Sequence, residues 1–133
     1  MWGPQLWKIL HGIGESAGYS KICHIDEMRE LQWIINNLEK IVPCRKCSRH
    51  IQEYRRIVPF NGNYKYWFWN FHEAVNARLG KIGVPFDTLR GNCNIMEEWA
   101  EYEKRLRGKI GIDWKDIKMF KRHLQLWLEF SKT

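Results

Sequence analysis

The sequence predicts an all-α fold with a four-helix bundle core, a short fifth helix and an additional C-terminal helix. Apolar residues recur at helical spacing through most of the 133 residues. Glycine or proline stands where the periodic stretches stop, and no stretch alternates as a strand would. The hydrophobic content of 44% is enough for one core. We therefore expect a single domain over residues 1–133.

The first half of the chain contains three predicted helices. The first has its apolar stripe over residues 6–17, and a glycine follows it. The second extends over residues 28–42, with Asp26 as its N-cap and a proline after it. The third begins near Cys44 and ends before Pro59.

The second half contains three more. The fourth helix covers about residues 64–79, with Gly80 as its stop. Residues 81–92 form a loop, and the fifth helix repeats the helical spacing over residues 95–106. An aspartate caps the sixth helix, residues 113–130. Its apolar stripe is a candidate dimer or docking surface, although packing on its own chain is the favoured interpretation.

The charge balance is basic, with 22 Lys and Arg against 15 Asp and Glu and a net charge of +7. This excess suits an anionic partner such as nucleic acid, a membrane surface or a phosphate-bearing cofactor, and a merely soluble surface fits it equally well. No arginine-rich block favours nucleic acid. The sequence has no apolar run of the ~20 residues that span a membrane and no signal peptide, so we expect a cytoplasmic protein without membrane partners.

Cys44 and Cys47 stand at the predicted start of the third helix. The positive end of the helix dipole favours a thiolate there, and Arg45 and Lys46 add positive charge beside it. This pattern favours a redox-active pair, with a zinc half-site or an inert pair as alternatives. Zinc needs further ligands, for which the conceivable candidates are Cys23, His24 and His50. No second Cys-x-x-Cys completes that pattern, so we expect catalytic cysteines and no metal.

Two predicted helices each combine tryptophan with histidine on one face. For a single such histidine, a place at the edge of the core is the simpler interpretation. Two such faces with basic residues nearby suit a stacked dinucleotide and its pyrophosphate. The residues are Trp7 and His11 on the first helix, and Trp67, His72, Asn76, Arg78 and Lys81 on and after the fourth.

Taken together, these segments resemble the Erv/ALR family of FAD-dependent sulfhydryl oxidases. Residues 2–11, with the pattern Trp-Gly-Pro-x-x-Trp-x-x-x-His, resemble its N-terminal flavin-binding segment. Residues 43–47, Pro-Cys-Arg-Lys-Cys, resemble its proximal redox motif, and residues 67–81 resemble its His-Asn-x-Val-Asn-x-x-Leu-x-Lys helix. The short forms encoded by large cytoplasmic DNA viruses are the most similar, which implies the host cytoplasm or the virion as location.

The resemblance implies a thiol oxidase that forms disulfides in protein substrates. Cys44 would meet the substrate dithiol, Cys47 would pass electrons to FAD, and oxygen would become hydrogen peroxide. The partners implied are a thiol-containing protein or a separate redox carrier, molecular oxygen and a second copy in a homodimer. The shared core would cover about residues 1–107 and the extension residues 108–133. The FAD contacts implied are Gly3, Trp7, His11, Trp67, His72, Asn76, Arg78, Lys81 and Trp99.

The chain departs from the family pattern at several positions. Glu73 replaces a usual Asn, and Trp69 and Thr88 occupy positions where many members have two cysteines that staple the last helices. The sequence has no second Cys-x-x-Cys to act as a shuttle. Cys23 and Cys93 are therefore unassigned: they could join each other, pair across a dimer or remain buried thiols.

Overall fold

The structure is a computed structural model that describes residues 2–60, 63–83 and 94–133. Within these ranges it contains six α-helices and one 3-10 helix and no β-strand, which confirms the all-α class. None of the described helices is both long enough and apolar enough to cross a membrane. The helices are α1 (Gly3–Ser16), α2 (His24–Asn36), the 3-10 helix (Leu38–Ile41), α3 (Arg45–Ile57), α4 (Tyr64–Leu79), α5 (Ile95–Leu106) and α6 (Trp114–Ser131).

The chain forms two compact units. The first unit comprises residues 1–16 and 60–105 and includes α1, α4 and nearly all of α5. The second unit comprises residues 17–59 and 106–133 and includes α2, the 3-10 helix, α3 and α6. That both belong to one functional domain over residues 1–133 stays a prediction.

In the first unit, α1 packs against α4 at close range. A Cβ atom built on Gly14 would lie 3.0 Å from the Cα of Lys65, so glycine lets the two backbones approach. Next to this contact, Nζ of Lys65 pairs with the carboxylate of Glu15 at 2.7 Å. Gln5 ties α1 to α5, because its side-chain amide donates to the carbonyl of Glu98 at 3.0 Å.

In the second unit, α2 and α6 meet around the buried carboxylate of Glu27. It accepts hydrogen bonds from Nε1 of Trp127 at 2.9 Å and from the backbone N–H groups of Gly18 at 3.0 Å and Ser20 at 3.3 Å. A buried carboxylate is costly unless such donors satisfy it. The same helix pair carries a hydrogen bond between Nδ1 of His123 and the carboxylate of Glu30, at 2.5 Å.

The helix α6 packs on its own chain, as the favoured interpretation of its stripe expects. Ile117, Phe120, Leu124 and Trp127 are buried, and the ring of Trp33 on α2 lies 5.9 Å from that of Phe120. Trp114, at the start of the helix, is 40% exposed and does not take part in this core.

Two predicted boundaries of the second helix are wrong. Asp26 is not the N-cap: Cys23 takes that position, and Asp26 lies in the first turn, where it pairs with Arg29. The helix also ends at Asn36 instead of continuing through Val42. Asn37 is the C-cap: its side-chain amide and its own backbone N–H both donate to the carbonyl of Trp33, at 2.8 Å and 3.1 Å, and the chain then tightens into the 3-10 helix Leu38–Ile41.

The substitution Glu27→Met should lower the free energy of unfolding by about 3 kcal/mol or more, because three buried N–H donors lose their acceptor. Urea denaturation followed by circular dichroism measures this change. Glu129→Met, at an exposed position of α6, is the matched control and should shift the midpoint little. Equal midpoints for the two variants would show that the Glu27 network contributes nothing to stability.

Candidate active site

Cys44 is the N-cap of α3, and its thiol performs the capping. The backbone of Cys44 is extended (φ −145°, ψ 114°), and its Sγ accepts a hydrogen bond from the N–H of Cys47 at 3.2 Å. Serine, threonine or aspartate usually supplies this acceptor at a helix start. Pro43 precedes the cap and separates it from the 3-10 helix. Both cysteines are half-buried thiols, and neither is joined in a disulfide.

The two thiols have oppositely shifted pKa values. Burial opposes ionisation of Cys44, but hydrogen bonds from the Cys47 thiol and from backbone N–H groups, with the charge of Lys46, hold its pKa below the ordinary value. Burial, together with the hydrogen bond to Cys44 and the negative charge there, raises the pKa of Cys47 to about 11. The reduced pair therefore carries its first negative charge on Cys44, while Cys47 keeps the proton.

Arg55 fastens α3 to the end of α2. Its guanidinium Nη1 donates to the carbonyl of Ile35 at 2.8 Å and to the carboxylate of Glu39 at 2.6 Å. Ile51 is the buried residue of α3, and Cys47 lies one turn before it on the same helix face. Arg55 thus holds the last turn of α3 against the end of α2 and the 3-10 helix. Nothing in the spacing of the sequence marks Arg55 or its partners, which is why it is absent from the predicted site residues.

In the first unit, Trp7, His11 and His72 bring three flat rings together; we refer to these residues as the ring cluster. The rings of Trp7 and His72 are stacked, with centroids 3.9 Å apart and an interplanar angle of 8°. His11 also lies nearly parallel to Trp7, with centroids 5.6 Å apart. Nε2 of His11 and Nδ1 of His72 are 2.9 Å apart and share one hydrogen bond. The Trp/His face of α1 and the histidine of α4, which the sequence predicts separately, are therefore in direct contact.

Both histidines of the ring cluster are held neutral. Burial, with the nearby His72, lowers the pKa of His11 to about 4, although Glu15 acts in the opposite direction. Burial and the charge of Lys81 lower the pKa of His72. Nδ1 of His11 is buried and has no hydrogen-bond partner among the described residues. A cluster of neutral flat rings with an orphaned buried nitrogen fits a flat heteroaromatic ligand.

The remaining predicted contacts on α4 lie on either side of this cluster. Trp67 is buried, and Phe71 connects it to Trp7, with ring centroids 5.7 Å and 5.3 Å away respectively. Phe71 is absent from the predicted contacts, although it follows Trp67 at helical spacing. Asn76 is half-buried, while Arg78 and Lys81 are exposed where the helix ends at Gly80, which has a left-handed φ of 71°.

Two further predicted FAD contacts are Gly3, one turn before Trp7 on α1, and Trp99 on α5. Gly3 is the first residue of α1, and a Cβ built on it would meet no atom within 4 Å, so packing does not require glycine there. Trp99 is fully buried on α5, and its Nε1 donates to the carboxylate of Glu103 at 2.6 Å. The expected contacts of both residues with FAD stay predictions.

The structure describes three of the positions at which the chain departs from the family pattern or has an unassigned cysteine. The carboxylate of Glu73 lies against Gly83, and a Cβ atom built on Gly83 would collide with it. Residues 81–83, directly after α4, therefore pass close to the Glu73 side chain. Trp69 is half-buried, with its ring 5.7 Å from that of Tyr66, and Cys23 is a half-buried free thiol. Thr88 and Cys93 lie outside the described residues.

The zinc alternative finds no support in the part of the chain that the structure describes. No three side chains of His, Cys, Asp or Glu are grouped there closely enough to hold a metal ion. His24 is exposed next to Cys23, and His50 is half-buried on α3.

Comparison with known proteins identifies similar chains. The profile of the Erv1/Alr family matches residues 4–100. An FAD-linked sulfhydryl oxidase of African swine fever virus, isolate Pig/Kenya/KEN-50/1950, is 35% identical over 102 residues, which cover 73% of this chain and 81% of the relative. The counterpart from isolate Warthog/Namibia/Wart80/1980 is 32% identical over 105 residues with the same coverage of both chains, 73% and 81%. An FAD-linked sulfhydryl oxidase of Arabidopsis thaliana is 26% identical over 99 residues, covering 71% of this chain and 51% of the relative. No solved structure gives a significant match.

The opposite pKa shifts predict selective alkylation of the reduced pair. In short pulses of iodoacetamide, Cys44 should react first, with a midpoint below that of an ordinary cysteine, whereas Cys47 should resist until the pH approaches about 11. Peptide mass spectrometry across a pH series measures both. Cys47→Ala should raise the midpoint of Cys44, since a donor is lost, and Lys118→Gln on α6 should leave it unchanged. Faster labelling of Cys47 would contradict this assignment.

The depressed pKa of His11 predicts a pH-dependent stability. The unfolded chain takes up a proton at His11 near pH 6.5, whereas the folded chain does so only near pH 4. The contribution of His11 is therefore fully present above pH 6.5 and decreases as the pH falls towards 4. Urea titrations of the wild type and of His11→Gln at several pH values measure it, and the variant should show the weaker decrease. Parallel pH profiles would contradict the prediction.

Proposed function

The chain belongs to the Erv1/Alr family, and from this premise we propose that it is an FAD-dependent thiol oxidase that forms disulfides in protein substrates. The observation that carries the proposal is the tuned pair Cys44 and Cys47 at the start of α3, with one thiolate favoured and one thiol kept protonated. Its relatives in African swine fever virus are named FAD-linked sulfhydryl oxidases.

The ring cluster fits the cofactor. Trp7, His11 and His72 would hold flat rings of FAD, and the orphaned Nδ1 of His11 can exchange a hydrogen bond with a heteroaromatic edge. The exposed cations Arg78 and Lys81 suit the pyrophosphate. The chemistry that bound FAD supplies is acceptance of two electrons from the reduced cysteine pair and their transfer to oxygen, which gives hydrogen peroxide. The roles of Gly3, Trp67, Asn76 and Trp99 in binding it rest on the family resemblance.

The chemistry of the cysteines themselves is thiol–disulfide exchange. A substrate thiolate attacks Sγ of Cys44 in the Cys44–Cys47 disulfide, so that a mixed disulfide forms and Cys47 leaves as a thiolate that takes up a proton. The second substrate thiolate attacks the substrate sulfur of that mixed disulfide. Cys44 then leaves as the thiolate that the N-terminus of α3 stabilises, and the substrate departs with its disulfide. We assign Cys44 to the substrate and Cys47 to the electron acceptor.

The partners of the reaction follow from this proposal. The electron donor is a thiol-containing protein or a separate redox carrier, and the terminal acceptor is molecular oxygen. Action as a homodimer in a host cytoplasm or a virion, without nucleic acid or membrane partners, remains part of the proposal. Light scattering of the purified protein measures its molar mass in solution and so distinguishes a homodimer from a monomer.

Purified protein should be yellow, with flavin that stays bound through desalting, and should consume oxygen in the presence of dithiothreitol. Cys44→Ser and Cys47→Ser should each reduce this oxygen consumption to the uncatalysed rate, because either change removes the exchangeable disulfide. Cys23→Ser is the matched control and should keep the wild-type rate.

Two outcomes would overturn the proposal. One is a colourless preparation with stoichiometric zinc, which would favour a zinc-stabilised helical module. The other is a Cys47→Ser variant with full activity, which would show that the pair does not act as a disulfide.

A further inference from the structure

Four basic side chains extend along the exposed side of α3, starting directly after Cys44. They are Arg45, Lys46, Arg49 and Arg56, and we call them the basic stripe. All four are exposed, and none forms an ion pair with a described residue. Glu53 is the single carboxylate of α3, and it is also exposed. The stripe therefore presents net positive charge to the solvent.

The geometry of an α-helix aligns these side chains. At about 100° per residue, Arg45, Arg49 and Arg56 fall within an arc of about 40°, and they span about 16 Å along the axis. Ile51, the buried residue of α3, faces the opposite side of the helix. Arg45, Arg49 and Arg56 thus form a straight row of cations, with Lys46 and Glu53 about 60° and 40° to one side of it. Its first residue directly follows Cys44, which we assign to the substrate, in the sequence.

Helix stability explains only one of these charges, because Arg56 lies in the last turn of α3, where a cation favours the helix dipole. Arg45 and Lys46 occupy the first turn of α3, which has no acidic residue, and cations there oppose the helix dipole. Lys46 has a local role, because it favours the Cys44 thiolate. Arg49 and Arg56 lie about one and three turns beyond the start of the helix, and no described carboxylate pairs with them. Their exposed guanidinium groups are available to a partner.

We propose that the basic stripe is the substrate-docking surface of the oxidase, and that it binds protein segments in which reduced cysteines adjoin a run of Asp and Glu. This inference rests on the proposed function. Guanidinium groups pair with carboxylates in a bidentate fork, and a track of positive charge raises the rate of association with an acidic partner. A protein is favoured over nucleic acid because the reactive group at the head of the stripe acts on thiols, which nucleic acids lack.

Two synthetic peptides of equal length test the proposal with the FAD-loaded protein. Each contains one reduced Cys-x-x-Cys, followed by four Glu in one peptide and four Gln in the other. At low salt, kcat/KM for the acidic peptide should exceed that for the neutral one by about tenfold. At about 0.5 M salt the preference should nearly vanish, since screening weakens exposed charges. Oxidation of dithiothreitol provides the reference rate for every variant.

Variants locate the effect on the stripe. In R49E/R56E, and in the milder R49Q/R56Q that keeps helix-compatible side chains, the preference should fall to about twofold or less, through a higher KM for the acidic peptide. The control K115E/K118E changes the net charge as much as R49E/R56E does, at exposed positions of α6, and should keep the tenfold preference. An unchanged preference in both stripe variants would overturn the proposal.

A binding measurement separates this proposal from the proposed function. Fluorescence anisotropy with Ser-x-x-Ser versions of the two peptides should show tighter binding of the acidic one to the wild type, and R49Q/R56Q should lose that difference. If the protein does not oxidise dithiothreitol but still binds the acidic peptide more tightly, the oxidase function is overturned and the docking surface is supported. Dithiothreitol oxidation with equal kcat/KM for both peptides would overturn only the docking surface. Binding of a labelled oligonucleotide more tightly than the acidic peptide, and its loss in R49Q/R56Q, would assign the stripe to nucleic acid instead.

Discussion

The buried carboxylate of Glu27 is the interaction on which the second unit depends. It accepts three N–H donors, from Trp127 on α6 and from the backbone at Gly18 and Ser20, so it joins three stretches of chain at one point. Helix α2, held in this way, presents the carbonyl of Ile35 near its end to α3. The last turn of α3, through Arg55, is therefore fastened to a helix that a buried and fully hydrogen-bonded carboxylate holds in place.

The two candidate sites treat charge in opposite ways. At the start of α3, backbone N–H groups and Lys46 stabilise a negative charge on Cys44. In the ring cluster, burial keeps His11 and His72 uncharged, so their rings stack and share a hydrogen bond without electrostatic repulsion. An ionised thiol suits nucleophilic exchange, whereas neutral rings suit a flat ligand. Each site therefore has its own local environment, which favours the charged form of the thiol in one and the uncharged form of the histidines in the other.

Local signals predicted most of the fold, and what they missed comes from one local change of helix type and from contacts between distant positions. The apolar spacing and Gly80 give the limits of α4, and Pro43 with the paired cysteines gives the start of α3. The predicted end of α2 was wrong because the chain changes at Asn37 from the α-helix to a 3-10 helix, in which Leu38 and Ile41 stay buried, so the apolar spacing does not report the change. The contact of Arg55 with the end of α2 links distant positions, and no motif marks it. The same holds for the direct stacking of Trp7 on His72, since each residue's helix was predictable but their meeting was not.

The N-cap arrangement also sets the direction of the cysteine chemistry. Whatever stabilises the Cys44 thiolate stabilises the reduced pair relative to its disulfide, and a pair with a stable reduced form is the stronger oxidant of other thiols. The cations of the first turn, which would weaken an ordinary helix, become favourable when a thiolate stands at the cap. A strongly oxidising pair is in turn harder to reoxidise, so it needs an acceptor with a higher potential. The transfer to oxygen that we propose would satisfy that need, so the electrostatics of α3 are consistent with an oxidase.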